Sequence, residues 1–319
     1  MDWRRKDNQV ILGGRAHPLA GSLRALNCKR DHILENFSYL QLMHKDVAMA
    51  RSLSGFVEVY NGRLFYQSAG SGDVLVFIHG NTGDHQHWDV QFDFFSKYYR
   101  VVRYDVRGFG QSSLPIEDKP YTDHEDLESL LDQLDIKNAH ITGWSMGSAI
   151  AIDFCLAFPH RTKSLTLVGP WVYGYSSLAQ QAMNADLAEV GAVISEEGLG
   201  AAVDAWMKAP FFSATIVDPA AGDQFRKIAN NYSFWVYTHR SPLRVLKPIA
   251  AGRISEIQVP TLILTAEQDI PACLEIADLL DESLPDSCKI TLEESGHLLH
   301  MEKPEIFNQH LADFIKTIY

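Results

Sequence analysis

The chain reads as an α/β protein in which a mostly parallel eight-stranded sheet is flanked by helices and carries an inserted helical segment. Three observations predict it. Short apolar, β-branched runs of the kind buried on both faces of a sheet recur from residue 56 onward. Helix-period segments alternate with them, which implies parallel strands joined by crossover helices. The alternation stops after Gly169-Pro170 and resumes only near residue 259, so the helical stretch between is an insertion.

The elements follow in order. Residues 56–60 and 63–68 form a hairpin about Asn61-Gly62, and residues 74–78 and 100–104 are buried strands. Helical periodicity covers residues 126–134, a strand 139–142, a helix 149–158 up to Pro159, and a strand 164–168. Helix-like segments rich in alanine and aromatics occupy residues 178–193, 199–207 and 224–237. The sheet resumes at 259–265, followed by a helix at 274–280, a strand at 289–292 and a closing helix at 304–318. Residues 55–170 and 251–319 are thus expected to build the core, and 171–250 a helical cap. Residues 1–54 are a separate extension, with nine Lys or Arg against five Asp or Glu where the remainder has nineteen against thirty-five. Spacing within 32–49 permits one amphipathic helix there.

Composition bounds the partners. A net charge of -12 excludes a nucleic-acid or anionic-membrane surface, which needs clustered Lys and Arg. The 46% apolar content fills a sizeable core. Four dispersed cysteines (Cys28, Cys155, Cys273, Cys288) include no C-x-x-C pair, so neither a zinc site nor a disulfide framework is expected, and a reduced, cytoplasmic setting fits. No apolar h-region follows the basic start, and no eighteen apolar residues run together, so neither a signal peptide nor a membrane span is expected.

The chemistry concentrates at Gly143-Trp144-Ser145-Met146-Gly147, a G-x-S-x-G sequence between an expected strand and an expected helix. Such a turn lifts a serine hydroxyl above the sheet and aims the free N–H groups of the new helix at the same place. A hydroxyl needs a base, and the base an orienting acid. Asp269 follows the strand at 259–265, and His297 follows the strand at 289–292 in Glu293-Glu294-Ser295-Gly296-His297, where Gly296 frees the backbone to bend the imidazole inward. Glu267 is the nearest competing acid, and His85, His87 and His300 the competing bases. An oxyanion site needs two backbone donors. Met146 supplies one N–H, and Asn81, in His79-Gly80-Asn81-Thr82-Gly83, the other, with Thr82 as the alternative; His79 is read as a structural partner of its loop.

These motifs together resemble the α/β-hydrolase superfamily over residues 55–319. The resemblance rests on His79-Gly80-Asn81 with Trp88, on Tyr104-Asp105-Val106-Arg107-Gly108-Phe109-Gly110-Gln111-Ser112, on the Gly143 to Gly147 turn, on Asp269, and on Gly296-His297 with Glu302-Lys303-Pro304-Glu305. From the turn onward the chain is similar to the esterase, lactonase and cofactor-free haloperoxidase group. The resemblance implies that residues 105–112 are a structural turn and that no cofactor or metal is required. Ser145, where some relatives carry aspartate, argues against dehalogenase and epoxide-hydrolase chemistry. The expected function is hydrolysis of a small carboxylic ester or lactone by a Ser145-His297-Asp269 triad. Carbon–carbon bond hydrolysis or acyl transfer by the same triad is the alternative, and a non-catalytic receptor the remaining one. Trp144, Trp206, Phe211 and Trp235 are expected to line an apolar substrate pocket.

Overall fold

The computed structural model describes residues 52–209, 212 and 218–318, so the helix expected within 32–49, and Phe211, lie outside it. Eight strands form one sheet: β1 (Leu53–Val59), β2 (Gly62–Ala69), β3 (Val74–Ile78), β4 (Arg100–Tyr104), β5 (Ala139–Trp144), β6 (Thr162–Val168), β7 (Thr261–Ala266) and β8 (Ser287–Leu292). Their spatial order is β1-β2-β4-β3-β5-β6-β7-β8, with β2 antiparallel to both neighbours and every pairing from β4 to β8 parallel. Every residue of β5 and of β7 is buried, although His140 and Thr142 interrupt the apolar run of β5; His140 Nδ1 is bonded to Ser164 Oγ.

The hairpin is shifted by one residue from the expectation. Val59 pairs with Gly62, so the loop is Tyr60-Asn61, and Asn61 takes the left-handed conformation (φ 55°) that asparagine tolerates.

Helix α1 (Asp89–Phe95) joins β3 to β4, α2 (Asp123–Gln133) joins β4 to β5, and α3 (Met146–Ala157) joins β5 to β6. The direction of winding reverses between β4 and β5. Because such crossovers are right-handed, the reversal puts α1 on one face and α2 with α3 on the other, and opens a crevice at the carboxyl ends of β3 and β5. Helix α2 starts three residues earlier than its periodicity indicates, because Thr122 caps it and Asp123, Glu125 and Asp126 sit in its positive first turn.

Between β6 and β7 lie α4 (Leu178–Glu197), α5 (Leu199–Lys208), α6 (Pro219–Ala229) and the short α7 (Trp235–Thr238). The single helix expected over 224–237 is two. Asp218 caps α6 and Pro219 opens it, and the chain then breaks at residues 230–234, where Phe234 is left-handed (φ 51°). The break lets Tyr232 stack on Phe109 (centroids 5.0 Å apart) and buries Phe234, a tertiary gain that outweighs helical continuity. Helix α8 (Pro271–Ser283) follows β7. After β8, α9 (Leu299–Glu302) and α10 (Pro304–Lys316) close the fold, α10 packing on α1.

Cys155 and Cys273 are buried free thiols. Among the described residues no helix is long and apolar enough to cross a membrane.

Candidate active site

Strand β5 ends at Trp144, α3 starts at Met146, and Ser145 makes the whole turn with φ 52° and ψ −117°. Such a backbone costs a non-glycine residue about 1–3 kcal/mol and persists only where its surroundings hold it. They do so here: Ser145 N–H donates to Val168 O (2.9 Å), and Ser148 Oγ donates to Ser145 O (2.6 Å) while accepting from Trp171 N–H (2.6 Å). The flanking glycines are required sterically, since a Cβ on Gly147 would stand 2.3 Å from Ile78 O.

Asp269 follows β7 and His297 follows β8, and the two meet. His297 Nδ1 donates to Asp269 Oδ1 at 2.6 Å, both side chains are buried, and the same oxygen accepts from Ile270 N–H (2.7 Å). With Nδ1 carrying the proton, Nε2 is the basic nitrogen. Gly169 makes room for the pair: it is left-handed (φ 47°), and a Cβ there would lie 2.9 Å from His297 Nδ1 and 3.3 Å from Asp269 Oδ2.

The bend that presents His297 is not made by Gly296. The left-handed residue is Glu294 (φ 50°), and Glu302 clamps the loop by accepting from Gly296 N–H (2.6 Å) and Leu298 N–H (3.2 Å). Trp144 Nε1 donates to His297 O (2.8 Å) from the other side.

The competing groups have other occupations. Glu267 accepts from Glu294 N–H and is exposed. His85 is bound to Asp105 (2.6 Å), which also takes the N–H groups of His85 and Gln111, so Asp105 organises a turn. His87 stacks on Trp144 (4.7 Å) and His300 lies beside Trp88 (4.3 Å). Burial holds His87 well below the usual imidazole range and His300 down at about 3, so both are neutral core residues. His79 Nδ1 donates to Gly80 O (2.7 Å) and Nε2 accepts from Val106 N–H (3.0 Å), which ties the 79–83 loop to the 105–112 turn. Within that loop Thr82 N–H is bound to Asn81 Oδ1 (3.0 Å), which leaves the Asn81 N–H as the loop's candidate donor.

A cavity of about 340 Å³ brings Asn81, Trp144, Ser145, Met146 and His297 together. Trp206 and Phe212 from the inserted segment wall it, as do Met183, Leu187 and Val236. Trp235 does not line it: it is buried against His239 (centroids 4.8 Å apart), and its neighbour Val236 faces the cavity instead. Among the described residues two clusters have metal-ligating atoms close together, Asp269 with Cys273 and His297, and Asp84 with His85 and Asp105. In each, the carboxylate and imidazole already bond one another. Burial pushes the Cys273 thiol up, so beside the triad it is a protonated wall group rather than a nucleophile.

A profile of the alpha/beta hydrolase family matches residues 75–310. The chain belongs to this family. It is 26% identical over 257 residues to a putative 2-succinyl-6-hydroxy-2,4-cyclohexadiene-1-carboxylate synthase from Bacillus subtilis, covering 78% of this chain and 92% of that protein. It is also 26% identical to a 2-hydroxy-6-oxo-6-phenylhexa-2,4-dienoate hydrolase from Comamonas testosteroni, over 79% of this chain and 91% of the other. Among solved structures it is similar to the enol-lactonase from Burkholderia xenovorans (TM-score 0.67, 21% identity, 82% of this chain and 100% of that one). In this chain the eight-stranded sheet carries the candidate site at its carboxyl edge.

Proposed function

We propose that this α/β hydrolase cleaves a carboxylic ester or lactone through an acyl-enzyme on Ser145. One observation carries the reading: Ser145, held on a strained turn, shares a cavity with His297, whose far ring nitrogen is fixed 2.6 Å from Asp269. His297 Nε2 takes the hydroxyl proton as Ser145 Oγ attacks the carbonyl carbon. The resulting oxyanion is met by the N–H groups of Asn81 and Met146, each donor of this kind being worth about 2.7–4 kcal/mol. The protonated imidazole then gives its proton to the leaving alkoxide, and Asp269 stabilises the intervening imidazolium. A water molecule, deprotonated by the same nitrogen, releases the acid. No step calls on a cofactor.

Substituting Ser145→Ala tests this. Turnover of a short p-nitrophenyl ester and labelling by a fluorophosphonate should both vanish, and labelling that persists overturns the assignment. Similarity to a named dienoate hydrolase favours a second reading, carbon–carbon bond hydrolysis by the same residues. Rates on a vinylogous diketone and on an ester, compared with one preparation, decide between them.

A further inference from the structure

The cavity wall carries a second polar group that the triad does not use. Arg107, Tyr121, Asp123 and Tyr173 all line it. Arg107 is already committed: it donates to both carboxylate oxygens of Asp126 (2.8 and 2.7 Å) and lies over the Tyr121 ring at 4.4 Å. Asp123 is different. It is only 6% exposed, and its Oδ1 has no hydrogen-bond partner among the described residues. That oxygen is closed to the cavity, so a bound molecule meets Asp123 through Oδ2, which likewise makes no hydrogen bond to a described residue and is left for a ligand to satisfy.

We propose that Asp123 is a specificity-determining residue that pairs with an uncharged carboxamide on the substrate, away from the scissile bond. The proposal rests on the serine-hydrolase reading for the reaction, but not for the binding. The groups facing Asp123 favour, on balance, an uncharged partner. Burial, with Asp126 on its own helix and Asp153 on α3, raises its carboxyl to about 8, and Arg107 opposes them only in part, being paired with Asp126. The phenols that feel it, Tyr104 from β4 together with Tyr121 and Tyr173, are pushed upward and stay neutral. At neutral pH Asp123 is therefore a carboxylic acid with one donor and one acceptor. A carboxamide offers both an acceptor and a donor, so it satisfies the cavity-facing Oδ2 whether or not that oxygen carries the proton. An ammonium group would need Asp123 ionised, and an alkyl group would leave its oxygen unpaired.

The test uses the full chain carrying Ser145→Ala, titrated calorimetrically with two esters of equal size, one ending in a carboxamide and one in an isopropyl group. Turnover of the isopropyl ester by the unaltered enzyme is measured alongside. At pH 6.5 the carboxamide should bind about tenfold or more tightly, and the advantage should persist above pH 8, because an ionised Asp123 still accepts from the carboxamide N–H. Adding Asp123→Asn should keep the advantage through pH 10, because the amide side chain retains a donor and an acceptor without titrating. Adding Asp123→Leu should abolish it. Equal or undetectable binding of the two esters at pH 6.5, an advantage that survives Asp123→Leu, or tighter binding of an ammonium analogue overturns the proposal. Binding preference without ester turnover refutes the ester-hydrolase reading alone, and turnover without preference refutes this one alone.

Discussion

At the residue scale, the site depends on groups that do no chemistry. Gly169 is the sharpest case, because its missing side chain is the space in which Asp269 and His297 meet. In Gly169→Ala the methyl group would displace the imidazole by several tenths of an ångström, and misplacement near 1 Å costs about a hundredfold in rate. The expected outcome is a fall in kcat of that order with KM little changed, read by steady-state kinetics on a short ester. Ser145, Asp269 and His297 are legible in the sequence as candidates because each obeys a local rule, a glycine-flanked turn or a position just past a strand end. Gly169, Asp123 and the clamp at Glu302 are not, because their place beside the candidate site comes from atoms brought near from elsewhere in the chain, and nothing in the neighbouring residues encodes that. An aromatic ring alone is a poor guide to the pocket: Phe211 lies outside the described residues, and Trp235 packs on His239 and does not line the cavity.

At the scale of elements, Ser148 joins two segments that the chain order keeps apart. Its hydroxyl bridges the carbonyl of Ser145 on the turn into α3 and the N–H of Trp171 at the start of the inserted segment. Ser148→Ala leaves that half-buried N–H without its acceptor, which should cost about 1 kcal/mol and lower Tm by a few degrees in a calorimetric scan. Strands of the sheet and the helices after β4, β5 and β7 are readable to within a few residues, since the central strands are mostly apolar and these helices keep period, but the short α1 between β3 and β4 is not. The inserted segment was less so. The break at residues 230–234 is paid back by burial of Phe234 and by the Tyr232 to Phe109 stack, and helical spacing of aromatics there disguised two elements as one.

At the scale of the whole molecule, buried titratable groups set opposing slopes on stability. Burial holds His300 at about 3, His140 at about 4 and His87 well below the usual range, so each is neutral in the fold and binds a proton on unfolding below about pH 6.5. Stability from this source rises with pH up to about 6.5. Burial lifts Asp153 to about 6 and Asp123 to about 8, so both keep protons that the unfolded chain has released above about pH 4. Their contribution is fully present below about pH 4 and is lost as pH rises through the folded values. Burial also lowers His79, His124 and His310 and raises Asp126 and Glu128, so six histidines outweigh four carboxyls below pH 6.5, while Asp123 supplies the downward slope between 6.5 and 8. Tm should therefore peak near pH 6.5 and decline toward pH 8, and the decline should flatten in Asp123→Asn. The indole of Trp144 spans the assembly in another sense. It holds His297 O, stacks on His87, and sits so close to the 79–83 loop that a Cβ on Gly80 would lie 2.5 Å from its ring. Loops after β3, β5 and β8 thus share one template, and a substitution that shrinks this indole is felt in all three at once.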